Sequence, residues 1–326
     1  MRDRPLLIGS LVVVLAASGF GMLGPLARFA YDAGFAPLSF VAWRALFGFL
    51  VISVVVAVRA RRGGRIVNPF SLRRRDGIGL LVVAISALGL NVAMFLAFEV
   101  TTVALTLLAF YTYPALVAVV AVALGHERLD TTRWLALALA VTGMVLVVAG
   151  GLAVDGDGLS VAIQPLGLLL GFVAAIWQTV FVTVSRDRFQ TLPADQAMTW
   201  IMLSTAVTCA VIAIIAGNAL DVPLREPRAL LVAAFTGVAA AGIPSVLFLV
   251  GIRAIGGTRA GILMLLEPLV GVTLAAVLLG ESLLPIQILG GAAILAAALL
   301  LQRGASGSRP VANPLEPTVI RTTERT

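Results

Sequence analysis

The sequence predicts an all-α integral membrane protein: ten transmembrane helices arranged as two inverted five-helix repeats, with both termini cytoplasmic. Three observations predict it. The 326 residues are 60 % hydrophobic and only 12 % charged, whereas a soluble domain carries about 25 % charged residues to face water. Ten apolar runs have the length of a membrane-spanning helix, about 20 residues. The basic residues then fall between those runs in the alternation that a ten-span path requires.

Runs free of Asp, Glu and Arg place eight spans at 5–27, 77–98, 100–126, 134–154, 158–185, 196–220, 229–252 and 282–302. Two further runs, 33–58 and 260–280, each hold one internal charge, Arg44 and Glu267. The first span follows Arg2 and Arg4 as a signal peptide would, but 5–27 is too long for a signal core and is read as a retained helix. With the N-terminus inside, the cytoplasmic segments hold 19 of the 23 basic residues, all of them arginine. The loop after the second span is the richest, with Arg59, Arg61, Arg62, Arg65, Arg73, Arg74 and Arg75. Arg28, Arg225 and Arg228 fall outside, where Asp155 and Asp157 also lie. Residues 303–326 are polar and rich in Gly, Pro, Ser and Thr; such a tail buries too little apolar surface to fold and is expected to be disordered and cytoplasmic.

The chain also matches itself. Pro114 precedes Glu127 by 13 positions and Pro268 precedes Glu281 by 13; Ala121, Leu124 and Leu129 fall on Ala275, Leu278 and Leu283 in the same register. This divides the chain into a first repeat over 1–154, a second over 158–302 and the tail 303–326. Five spans is an odd number, so the second repeat enters the membrane in the opposite sense, an arrangement common in secondary transporters.

The stretches YPALVAVVAVALGHERL and EPLVGVTLAAVLLGESL, with PLSFVAWRALFGF at the second span, resemble the drug/metabolite transporter superfamily and its ten-helix EamA branch. Arg44 matches an arginine typical of that family near the start of this helix. The one departure is His126, between Gly125 and Glu127, where the second repeat has Gly280 directly before Glu281. The resemblance implies a substrate cavity between the halves, and export, less often uptake, of amino acids, related metabolites or amphipathic compounds. A lipid or lipid-carrier flippase of the same fold is the alternative. The expected location is a bacterial cytoplasmic membrane, the partners a small-molecule substrate and the bilayer, with a homodimer and proton coupling left open.

Glu267 is the most informative residue, because an ionised carboxylate inside a span is costly unless it faces water, is protonated or is paired. A substrate-amine or proton site and a structural ion pair are both open. Its repeat counterpart is Tyr113, which stands before a proline in the same way and is a candidate for the same cavity. Tyr111 reads as ordinary packing. Arg44 lies about 9 Å inside its span; it can neutralise a substrate carboxylate, pair with Glu267, or snorkel to the outer headgroups. Asn91 and Ser245 occupy equivalent repeat positions, and Trp177 and Gln178 form a polar–aromatic pair; each can contact substrate or hydrogen-bond between helices. Glu127 and Glu281 read as caps at helix ends.

Other classes find little support. The arginines are interleaved with apolar runs, which argues against nucleic acid. No HExxH, metal-spaced His/Cys set or nucleophile–base pair is present, so no enzyme, metal or cofactor is expected. There is no GxxxxGK[ST] loop for direct ATP drive. The one cysteine, Cys209, lies inside an apolar run and reads as a buried hydrophobe.

Overall fold

In the computed structural model, residues 3–100, 103–125, 130–154, 165–279 and 284–305 are described. His126, Glu127, Glu281 and the tail beyond residue 305 lie outside them. Every regular element among the described residues is helical, with no strand among them.

The helices are α1 (Asp3–Gly21), α2 (Leu23–Asp32), α3 (Pro37–Arg61), α4 (Arg74–Val100), α5 (Val103–Phe110), α6 (Tyr113–Ala123), α7 (Thr131–Val154), α8 (Pro165–Asp187), α9 (Ala194–Ile215), α10 (Val222–Arg225), α11 (Pro227–Phe235), α12 (Ile243–Ile255), α13 (Gly257–Met264), α14 (Leu266–Leu279) and α15 (Pro285–Ala305). A 3₁₀ turn, Pro69–Ser71, precedes α4, and a π-helical segment, Thr236–Gly242, joins α11 to α12. Among the described residues, eight continuous or nearly continuous stretches are long and apolar enough to cross a membrane, from Leu6–Asp32 to Pro227–Ile255. The runs at 260–280 and 282–302 fall on the interrupted pair α13–α14 and on α15, whose apolar part is the shorter Pro285–Leu301.

Proline explains the interruptions. It has no N–H for the i→i−4 bond, and its ring meets the carbonyl of residue i−4. Pro25, Pro114 and Pro268 stand four residues after Gly21, Phe110 and Met264, the last residues of α1, α5 and α13. Pro244 stands four after Ala240, inside the π segment. The first span also differs from its expected end at residue 27: α2 runs on through the exposed Arg28 to Asp32. A cation near a helix end can reach water while the backbone stays hydrogen-bonded.

The helices pack in pairs. α7 lies along α15, α3 along α9, α4 along α8, α1 along α12, and α13 against α6. Glycines allow the closest crossings. A Cβ on Gly143 would stand 2.5 Å from the Gly290 carbonyl, and one on Gly290 would stand 2.5 Å from the Gly143 carbonyl. Gly48 of α3 likewise meets Gly237 and Gly242 of the π segment.

Candidate functional site

Two helix breaks meet in the middle of the bundle. Tyr111 and Thr112 separate α5 from α6, and Leu265 separates α13 from α14. The breaks touch through Gly261, whose missing side chain leaves room for Pro114 and the Tyr113 ring. Glu267 is therefore not within a continuous helix, as its place in the apolar run suggests. It is the second residue of α14, in the first turn, where the positive end of the helix dipole favours a carboxylate. α1 closes the other side: a Cβ on Gly21 would fall 2.8 Å from the Glu267 carbonyl oxygen and 2.7 Å from Val270 Cβ.

Around Glu267 the surroundings are aromatic. The Tyr111 hydroxyl hydrogen-bonds its carboxylate, and Tyr113 is within electrostatic reach. Both tyrosines are buried, 1 % exposed, and the ring of Phe110 lies 5.3 Å and 5.2 Å from theirs. Glu267 itself stays half-buried. Among the described residues the buried Tyr113 hydroxyl has no hydrogen-bond partner, a costly arrangement for a polar group. The site thus offers a carboxylate, a free hydroxyl and ring faces, which suit a cation carrying N–H donors. Tyr111 is the correction here: it is the side chain that holds Glu267, rather than ordinary packing.

Arg44 belongs to a second polar group. Its Nη2 donates to Asn91 Oδ1 at 2.7 Å, while Asn91 Nδ2 donates to the Ala87 carbonyl at 2.7 Å. Tyr31 and the buried Cys209 lie within electrostatic reach of the guanidinium. Trp177 packs its indole against α4 at Gly89, where a Cβ would stand 2.6 Å from the ring. Gln178 and Ser245 are each 8 % exposed. The structure therefore joins Glu267 with Tyr113, and Arg44 with Asn91, as two groups.

A cluster that sequence reasoning missed is the aromatic column of Phe20, Phe248 and Phe181. Phe181 and Phe248 are parallel at 6.4 Å, and Phe20 meets Phe248 edge-on at 6.3 Å. These residues come from α1, α12 and α8, so no local pattern could have brought them together.

The profile of the EamA-like transporter family matches residues 7–149 and 165–303. The chain belongs to that family. It is 28 % identical over 303 residues to an uncharacterized transporter of Archaeoglobus fulgidus, covering 90 % of this chain and 96 % of that protein. It is 31 % identical over 218 residues to an uncharacterized transporter of Synechocystis sp., covering 63 % of this chain and 62 % of that one. A solved crystal structure 21 % identical in sequence superposes with a TM-score of 0.71 over 92 % of this chain and 98 % of the other, which shows the same fold. The EamA protein is accordingly a multi-pass membrane transporter, working on a small molecule in a lipid environment.

Proposed function

We propose that this EamA protein is a secondary transporter that takes an amine-bearing small metabolite, such as an amino acid, at Glu267. It moves that substrate by alternating access between two inverted five-helix halves, over a ten-span path with both ends cytoplasmic, and it works as an exporter in a cytoplasmic membrane. The observation that carries the reading is the meeting of Glu267 and Tyr113 at corresponding breaks, with Tyr111 bonded to the carboxylate and the Tyr113 hydroxyl unpartnered. Discontinuous helices with functional groups at their broken ends recur in transporters built from inverted repeats.

The pairing of helices supports the inverted halves. If each span is exchanged for the one five places along the chain, the α4–α8 pair becomes the α12–α1 pair. The α3–α9, α7–α15 and α6–α13 pairs exchange with themselves. The breaks at Tyr111 and Leu265 fall at the same register of the two repeats.

The test is flux of labelled amino acids in proteoliposomes, with wild type and Glu267→Ala compared. Saturable wild-type flux that collapses in the variant is expected. Flux unchanged by the substitution removes Glu267 from the substrate path, and lipid movement without metabolite flux points to the flippase. Coupling to protons is read in the same assay from Glu267→Gln: unchanged transport with an unchanged pH profile rules it out.

A further inference from the structure

The segment between α3 and α4, residues 62–73, is a shaped strap. Asn68 accepts the Phe70 N–H at 2.9 Å and starts the 3₁₀ turn, while the Ser71 hydroxyl donates to the Asn68 carbonyl at 2.8 Å. The strap is fastened to the start of α9. Arg59 Nε donates to Asp195 Oδ2 at 2.8 Å, and the Val67 N–H donates to Gln196 Oε1 at 3.1 Å. The Gln196 amide returns a hydrogen bond to the Val67 carbonyl, and the Phe70 ring meets Trp200 edge-on at 6.1 Å.

What this shape presents is unusual for a surface loop. Arg61, Arg62, Arg65, Arg73, Arg74 and Arg75 are all exposed, and no carboxylate among the described residues pairs with any of them. Between them, Phe70 is 88 % exposed, Ile66 48 % and Trp200 37 %. Asp76, the acid nearest the cluster, is turned to the Phe189 N–H at 3.1 Å. Arg73, Arg74 and Arg75 crowd the start of α4, where the helix dipole disfavours cations. An external anion close by relieves both the mutual repulsion of such an array and its clash with the dipole.

We propose that the strap is a docking surface for anionic phospholipid headgroups, with the phosphates among the arginines and Phe70 and Ile66 set into the acyl boundary. Its position favours lipid over a soluble anion: it joins the ends of two membrane-spanning helices, α3 and α4, and so lies at the level of the headgroups. A purely electrostatic site for a soluble ligand has no use for three exposed apolar side chains, whereas interfacial anchors combine basic and aromatic groups. Because the strap also grips α9, bound lipid braces α3 and α4 against it.

The test uses full-length protein in neutral detergent micelles doped with phosphatidylglycerol or phosphatidylcholine, reading the thermal unfolding midpoint along a lipid titration. Phosphatidylglycerol is expected to raise the midpoint and phosphatidylcholine not to. In R73Q/R74Q/R75Q the apparent affinity for phosphatidylglycerol should fall on the order of a hundred-fold, at about five-fold per arginine. That variant's midpoint in undoped micelles shows whether it folds. R225Q/R228Q, at the start of α11 and before it, should keep the full phosphatidylglycerol response. Equal responses to the two lipids overturn the proposal, as does an unchanged response in a folded R73Q/R74Q/R75Q protein. An equal effect of glycerol phosphate overturns it in favour of a soluble-anion site.

Discussion

Glu267 shows what a single charge in an apolar run can and cannot reveal. Its cost in a membrane marks it as functional or paired on its place in the sequence alone. Its partner is another matter. Tyr111 and Tyr113 are two residues apart, and in an unbroken helix they would point to different faces. Only the break after Phe110 brings both to the same carboxylate. Removing the hydroxyl alone isolates that contact. Tyr111→Phe keeps the ring against Phe110 and should leave the thermal midpoint in detergent near the wild-type value. Flux of an amine substrate at low concentration should fall about ten-fold, the effect of one lost hydrogen bond to a charged group. Proteoliposome flux measured beside thermal unfolding checks both halves. An equal loss of stability and flux would make Tyr111 a packing residue, as its sequence context suggests. Arg44 carries the same lesson. Its depth is legible in the apolar run but its direction is not, and its contact with Asn91 on α4 joins residues far apart in the chain.

At the level of helices, the apolar runs and prolines are readable, because both act through local backbone chemistry. The π segment is less so: Pro244 marks a disturbance there, but not which hydrogen-bond pattern absorbs it. Helix crossings are not readable, since many glycines in a membrane chain look alike and only the partner tells them apart. Gly290 and Gly24 make the contrast. A Cβ on Gly290 would press 2.5 Å from the Gly143 carbonyl and 2.9 Å from Leu146 Cβ, whereas one on Gly24 meets nothing within 4 Å. Gly290→Ala should therefore push α15 off α7 and destabilise by about 1–3 kcal/mol, the usual cost of overpacking. Gly24→Ala, within α2, should be neutral or stabilising by up to about 1 kcal/mol from helix propensity. Reversible unfolding of the two variants in mixed micelles gives the comparison. Equal effects would mean that the α7–α15 contact yields freely.

Across the whole molecule, the apolar spans are legible from composition, but the contacts between the stretches 7–149 and 165–303 are not. At the end carrying the strap, polar contacts among the described residues link residues before 154 with residues after 165. They are Arg59–Asp195, Val67–Gln196 and Asp76 with the Phe189 N–H. Phe189 is fully buried at a φ of +43°, uncommon for a bulky side chain. Arg253 holds it from the other side, donating to the Phe189 and Leu192 carbonyls with its guanidinium 5.2 Å from the ring. The alternating access proposed above needs this end to open, and polar contacts at an aqueous rim can be exchanged for water at low cost. Glycine-mediated packing such as Gly143 on Gly290 has no such substitute. Weakening the braces should therefore shift the population toward opening at this end without unfolding the bundle. Val182, fully buried on α8 against Gly257 at the start of α13, provides the reporter. In a Cys209→Ala background carrying Val182→Cys, a membrane-impermeant maleimide applied from the strap side should react slowly. Adding Asp76→Asn, Asp195→Asn and Gln196→Ala should speed labelling about ten-fold, as three contacts of modest strength are lost together. Reagent from the opposite side should gain nothing, because in the proposed alternating access opening at one end accompanies closure at the other. Faster labelling from both sides would mean that the bundle had loosened throughout, and an unchanged rate would mean that these contacts do not hold this end shut.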